Sequence, residues 1–358
     1  MVNYFDGADR EPSIILSEEV LLPDHMPDEL LHRDRELQAI ADAIKPILKR
    51  NTPTNLFIHG TSGTGKTSCV KHIMKQLTDH SSAVLPVYVN CWENPTQMAV
   101  YNRIVDEMRL PLPRRGLAAD EIFDKILQFI KNYKKPIVLV LDEMDGLRDD
   151  KLLYVVSRSN EKSLGFGLIG LSNNKALLSK LDARIRSSLR FSEMEFKHYS
   201  EEELVSILRV RAERALSPGS YDEKLLAKIA RSADDGSARV AIERLWKSAK
   251  HAEKSGRQKV MLQDFEDIIS AEPSFKLPEL GLSSEEVLIM ELLKPGELES
   301  SKLYDGFVKT IPKTKRQIRN YLELLEKKGL IESRELKADG MLKPRLFRLK
   351  GAMQGGSA

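Results

Sequence analysis

Short apolar runs and helical periodicities alternate along the first half of this chain, and from about residue 200 only the helical period persists until near the C-terminus. The runs Asn55–His59, Ala83–Val89, Ile137–Leu141 and Phe166–Leu171 have the length and branched-residue content of buried strands, and a shorter fifth is read near Leu189–Phe191. Between them, apolar residues recur at helical spacing: around Arg35 to Leu48, at Val70, Ile73, Met74 and Leu77, over Thr96–Met108, and over Ala118–Tyr133. A link bearing Pro111, Pro113, Arg114 and Arg115 joins the last two. Strands alternating with helices predict an α/β domain with a mostly parallel sheet. Beyond Ser200 the pattern gives helices at Glu201–Ala215, Asp222–Ser232, Ser237–Glu253 and Leu262–Ala271, a second and wholly helical domain. Pro273 to Pro278 reads as a hinge.

The C-terminal segment changes pattern again. Helices are predicted at Ser283–Leu293 and Glu299–Phe307, and Thr314-x-x-Gln317 is a capping box opening a third, in which Ile318, Leu322 and Leu325 share one face. Gly329 closes that helix. Leu330–Glu335 and Arg345–Leu349 follow as hairpin strands around an Asp339-Gly340 turn. The predicted divisions are 1–193, 194–272 and 273–350, with 351–358 a flexible tail, and no internal repeat is visible.

Composition narrows the class. Of 358 residues, 41% are hydrophobic, enough for more than one core, and no apolar run reaches transmembrane length. The N-terminus lacks the layout of a secretion signal, and Cys69 and Cys91 are the only cysteines, which rules out a disulfide framework or a cysteine-rich zinc site. A reducing cytoplasm is the expected location. The net charge of +3 says little by itself, but its distribution says more: Lys309 to Lys350 holds thirteen Lys/Arg against five Asp/Glu, leaving the rest of the chain net acidic. One basic end on an otherwise acidic chain is the footprint of phosphate contact. In the third helix, Lys315, Arg316, Arg319 and Asn320 fall on or near the outer face, where Arg pairs with guanine and Asn with adenine. Lys313, Arg334, Lys343, Arg345 and Arg348 complete the candidate DNA contacts of this end.

The strongest chemical signal is Gly60-Thr61-Ser62-Gly63-Thr64-Gly65-Lys66-Thr67, placed after the first strand and continued by Ser68 into a helix. GxxxxGK[ST] folds so that backbone N–H groups wrap nucleotide phosphates, the Lys reaches the β and γ phosphates and the Thr hydroxyl meets Mg²⁺. The helix N-terminus behind it favours negative charge. At the carboxyl end of the third strand stand Asp142, suited to Mg²⁺, and Glu143, suited to polarising a water. Nothing resembles a guanine-reading element, so ATP is the expected ligand. Asn173, at the tip of the fourth strand, can hold the attacking water or the γ phosphate, and equally can cap a loop turn. Arg184 and Arg186 suit a finger on a neighbouring subunit's nucleotide, against which surface charge is an even alternative. Arg239, in the first turn of a helix begun at Ser237, can reach back to the phosphates or simply face solvent.

These elements together resemble the AAA+ superfamily, and more closely the archaeal origin-recognition and replication-initiation proteins related to the eukaryotic origin-recognition and helicase-loading subunits. The resemblance runs from Pro27 and Arg33 to Lys350, and includes Asn90-Cys91, Ser172-Asn173 and the Asp182-x-Arg184 stretch. It implies a P-loop ATPase core, a helical lid and a C-terminal winged helix, with ATP or ADP and Mg²⁺ at the core–lid junction. It further implies double-stranded origin DNA held by the winged helix and by a helical insertion around Thr96–Tyr133, where Arg114 and Arg115 lie. The finger role falls on Arg184, with Arg186 second; a replicative helicase and paralogous initiator subunits become expected partners, and no membrane. Asn174 and Ser237 stand where the family usually carries acids. The rival readings are a transcriptional or signalling regulator with the same layout, and a clamp-loader-like ATPase. The latter gives no reason for the basic end.

Overall fold

The computed structural model describes residues 13–113, 116–148, 150–162, 165–233, 236–271, 284–293, 296–310, 314–335 and 345–350. They form two compact units, 1–268 and 269–358. Arg114, Arg115, Lys313, Lys343, the side chain of Arg316, the segment Pro273 to Pro278, the Asp339-Gly340 turn and the tail from Gly351 lie outside the described residues.

The first unit begins with a strap, Ser13 to Leu31, holding a 3₁₀ turn at Glu18–Leu21. Helix α1 (Asp34–Ile44) then gives way to a tighter 3₁₀ turn at Lys45–Lys49. The single helix read over Arg35 to Leu48 breaks there because Pro46 has no N–H to continue the α ladder. The sheet and its helices follow in order: β1 (Leu56–His59), α2 (Lys66–His80), β2 (Leu85–Asn90), α3 (Gln97–Met108), α4 (Ala119–Tyr133), β3 (Ile137–Asp142), α5 (Lys151–Lys162), β4 (Phe166–Ser172), the short α6 (Leu177–Lys180), α7 (Ala183–Leu189) and β5 (Ser192–Glu195). All pairings are parallel, in the order β2-β3-β4-β1-β5.

Both faces of this sheet are covered, which is why its strands read as continuous apolar runs. Successive side chains still part to opposite sides. Phe57, Leu139 and Leu141 pack with Ile104, Ile126 and Leu153 from α3, α4 and α5. Ile58, Val138 and Val140 pack with Ile40 and Ile44 of α1 and with Val70 and Ile73 of α2. The fifth strand lies at Ser192–Glu195, three residues beyond its predicted place, and Leu189 belongs to α7. Three of its four residues are polar and exposed at the sheet edge, and Met194 alone packs on the core, so its pairing with β1 left little hydrophobic mark. Helices read as starting at Thr96, Asp222 and Ser237 start one residue later, because each of those side chains accepts a backbone N–H as an N-cap.

Helices α8 (Glu201–Ala215), α9 (Glu223–Ser232), α10 (Ala238–Lys254) and α11 (Leu262–Ala271) follow the sheet. Leu204, Leu208, Leu226, Ile229 and Leu245 form their buried seam, with Ala212, Ala241 and Ala249 permitting close helix approach.

The second unit contains α12 (Ser284–Leu292), β6 (Leu298–Glu299), α13 (Ser300–Thr310), α14 (Lys315–Lys327), β7 (Ile331–Glu335) and β8 (Arg345–Leu349), with an antiparallel sheet ordered β6-β8-β7. Its core joins Ile289, Leu303, Phe307 and Phe347 to Ile318, Leu322 and Leu325 of α14. Thr314 Oγ1 accepts from Gln317 N, and Gln317 Oε1 accepts from Thr314 N at 3.0 Å, completing the capping box. Thr314→Ala is expected to lower the unit's stability by about 1 kcal/mol, read as a shift in urea midpoint at unchanged slope.

Candidate functional site

The strand order decides which residues meet. Since β4 lies between β1 and β3, a residue just past the end of β4 must stand between the loop after β1 and the acids after β3. His59 pairs with Ser172, and Asn90 with Asp142, which brings these carboxyl ends level. Lys66, only 7% exposed, donates from Nζ to the carbonyls of Gly60 (2.7 Å) and Thr61 (2.8 Å) and to Asn173 Oδ1 (2.8 Å). Thr67 Oγ1 donates to Asp142 Oδ2 at 2.7 Å. The phosphate loop, the acids and the Asn173 amide therefore face one cavity of about 440 Å³, to which Ser62, Gly63, Gly65, Ser68, Glu143 and Arg239 also contribute.

Close packing dictates the glycines. Gly63 has φ +79°, and a Cβ there would overlap Ser237 Oγ at 1.9 Å. Gly65 has φ +91°, and a Cβ would meet the Tyr199 hydroxyl at 2.9 Å. Both positions require the left-handed region and tolerate no side chain. The loop is thus seated directly against α10 and the segment leading into α8. Ala238 N donates to Gly63 O at 3.1 Å, and Arg239 Nη1 reaches Ser62 Oγ at 3.4 Å.

Burial brings Lys66 from its ordinary range down to about 8, opposed by Asp142. Phosphate oxygens are stronger acceptors than the neutral oxygens around it and would favour the ammonium. Glu143 is raised by burial and then by the charge of Asp142, which suits a group that must take up a proton. Its φ of +51° places a non-glycine residue in the left-handed region, a strain of the kind held at functional sites. Asp142 has both oxygens occupied: Oδ1 accepts from Glu143 N (2.9 Å), and Oδ2 accepts from Tyr88 OH (2.6 Å) as well as Thr67.

Several residues here carried no sequence signal. Tyr88 reads as one position of an apolar strand, yet its hydroxyl orients Asp142. Arg33 and Tyr199 are far from the loop in sequence and pack beneath it. Ser172 Oγ donates to Asp145 Oδ1 (2.7 Å) and accepts from Asn174 N (2.9 Å), so Asn174 shapes the turn after β4. The cavity is also lined by apolar side chains, Leu21, Leu22 and Pro27 of the strap with Ile207, Val210 and Ile242 of α8 and α10. Apolar walls beside a few convergent polar groups are the usual lining of a small-molecule site.

Arg184 and Arg186 lie exposed on α7 and do not line this cavity. In the second unit, Lys315, Arg319 and Asn320 are exposed on α14, with Asn320 opposite its buried stripe, and Arg345 is exposed on β8. Arg334 and Arg348 both pair with Glu297, and Arg348 also with Glu332 across the hairpin. Their charge is accordingly partly offset within the wing. Among the described residues, no helix is long and apolar enough to cross a membrane.

A phosphate loop, an Asp-Glu pair at the end of the strand two places along the sheet, an asparagine from the strand between them and a helical bundle seated on the loop define an AAA+ ATPase. The family model of the AAA domain matches residues 49–178, and that of the Cdc6 AAA+ ATPase-type lid domain matches 205–268. The chain belongs to the archaeal ORC1/Cdc6-type DNA replication proteins. It is 31% identical to "ORC1-type DNA replication protein 2" of Methanosarcina mazei, over 80% of each chain. It is 28% identical to "ORC1-type DNA replication protein 1" of Sulfolobus acidocaldarius, over 91% of this chain and 87% of the relative. The Aeropyrum pernix ORC1 protein, solved in complex with DNA, superposes with a TM-score of 0.72 at 27% identity, covering 95% of this chain and 94% of that one.

Proposed function

We propose that this chain is an ATP-dependent replication initiator that binds double-stranded origin DNA, with the nucleotide in the core–lid cavity as its switch. The observation that carries the reading is the seating of α10 on the phosphate loop itself, through the Ala238–Gly63 hydrogen bond and the Gly63–Ser237 contact. A ligand that fills this cavity touches core and lid together, so its phosphates bear on the angle between them.

The roles divide by chemistry. The backbone from Gly60 to Thr67, with Ser68, cradles the phosphates and Lys66 offsets their charge. Among the described residues no three metal-binding side chains gather, but Thr67 and Asp142 supply the one or two oxygens that Mg²⁺ takes from protein when phosphates and water complete its shell. When bound, that ion neutralises charge on the β and γ oxygens. Glu143 orients and deprotonates the attacking water, and Asn173 holds that water or the γ phosphate. Arg239 reads the phosphates from the lid. Glu143→Gln should keep ATP affinity within about twofold while slowing hydrolysis roughly 100-fold or more, measured by single-turnover phosphate release.

Arg184, exposed at the edge of the core, would complete a neighbour's site, with Arg186 the second choice; paralogous subunits and a replicative helicase are the partners this suggests. The DNA contacts fall on α14 through Lys315, Arg319 and Asn320, with Arg316, Lys313, Arg334, Lys343, Arg345 and Arg348 around them. Arg114 and Arg115 serve the insertion between α3 and α4. The DNA complex of the Aeropyrum pernix relative supports this reading. Genome-wide footprinting tests it: protection concentrated at replication start points supports an initiator, and protection confined to promoters replaces it with a transcriptional regulator.

A further inference from the structure

On the reading of the cavity as a nucleotide site, we propose that Arg33 is a positioning residue that ties the phosphate loop to both starting points of the lid, so that a loop holding phosphates also sets the lid's angle. Arg33 is 4% exposed, and no other arginine of the described residues is as deeply buried. Burying a guanidinium is costly unless its nitrogens are hydrogen-bonded. Here Nε donates to Thr64 O (3.2 Å) in the loop and to the Tyr199 hydroxyl (3.0 Å), Nη2 to Lys197 O (2.7 Å), and Nη1 to Glu36 Oε1 (2.9 Å). The planar group lies over the Tyr199 ring, 4.0 Å from its centroid, and 5.3 Å from that of Phe196. One side chain therefore grips the loop and three residues, Phe196, Lys197 and Tyr199, of the connection between β5 and α8.

The contacts close into a ring. Tyr199 N donates to Gly236 O at 3.2 Å, and a Cβ on Gly236 would meet Tyr199 O at 2.6 Å, so the entry to α8 is packed against the entry to α10. From there Ala238 N returns to Gly63 O. Starting at the loop, the path runs Thr64, Arg33, Tyr199, Gly236, Ala238 and back to Gly63. A displacement of the Thr64 carbonyl when phosphates seat cannot be absorbed by Arg33 alone, since Nη2 is held by Lys197 O and Nη1 by Glu36 of α1. Lysine cannot substitute: a single ammonium lacks the planar fork that spans these acceptors and the flat face that stacks on Tyr199.

The test uses the full chain with Lys75→Cys on α2 and Lys228→Cys on α9, both exposed, spin-labelled for distance measurement while the buried Cys69 and Cys91 stay unlabelled. ADP and a non-hydrolysable ATP analogue, each with MgCl₂, are the probes. The parent is expected to give different label distances with the two nucleotides. Arg33→Lys, and Tyr199→Phe as a milder second variant, should bind both nucleotides and lose at least half of that difference, roughly twofold. A melting midpoint near that of the parent excludes a merely structural defect. Variants that keep the parent's full distance change would overturn the coupling, as would a parent that binds both nucleotides at one distance. Failure of the parent to bind either nucleotide would overturn the nucleotide reading itself, and the coupling with it.

Discussion

Lys66→Ala is expected to weaken ATP and ADP binding by about 100-fold, near 2.8 kcal/mol. The ammonium is buried at the base of the loop, where water screens charge poorly, and three neutral oxygens are its present acceptors. Triphosphate oxygens arriving there would find no other cation at that position, because Arg239 approaches from the lid side through Ser62. The loss should be larger for ATP than for ADP, since the side chain serves the γ as well as the β phosphate. Fold stability without nucleotide should change little. Burial already holds Lys66 near 8, so removing it relieves a desolvation cost while it surrenders three hydrogen bonds. Titration calorimetry beside a melting curve separates these effects. Equal affinities for parent and variant would move the nucleotide elsewhere.

What the sequence revealed, and what it hid, follows the range of the interactions. Elements made by local rules were legible nearly to the residue: α8 and α11 stand as read, and the helices capped by Thr96, Asp222 and Ser237 differ by one position. The central strands were visible because both faces are apolar, and β5 was misplaced because it is a mostly exposed edge strand with Met194 as its one apolar contact to the core. Helix α5 was not read at all; its apolar stretch, Leu152 to Val156, is short and set among charges. In the site, loop and acids were legible because their chemistry fixes residue type and spacing. Tyr88 and Tyr199 were not, and Arg33 stood out only as one end of the resemblance, since an oriented hydroxyl or a buried guanidinium leaves no periodicity and meets its partner only through the fold. The strap's contribution to the apolar lining of the cavity was hidden for the same reason: it is held by partners remote in sequence, among them Arg211 on α8, which donates to the carbonyls of Val20 and His25.

The same contrast sharpens the second large effect, which concerns α14. Lys315 and Arg319 stand four residues apart and are both exposed, flanking the stripe by which Ile318, Leu322 and Leu325 anchor the helix. Replacing both by Ala removes two charges without touching the buried stripe, so the unit should stay folded. Duplex affinity is expected to fall roughly 10- to 100-fold, and the slope of log affinity against log salt should shrink by about two, near 0.9 for each lost phosphate contact. If Arg319 also reads a base edge, discrimination at one position of the site relaxes while binding to unrelated duplexes falls by a smaller factor. Arg334 and Arg348 serve as the internal comparison. Both share Glu297, so Arg348→Ala should cost less than Arg319→Ala in the same assay. ATP binding, carried by the other unit, should be unchanged in every one of these variants. Duplex affinity and salt slope matching the parent's after the double substitution would remove α14 from the DNA surface.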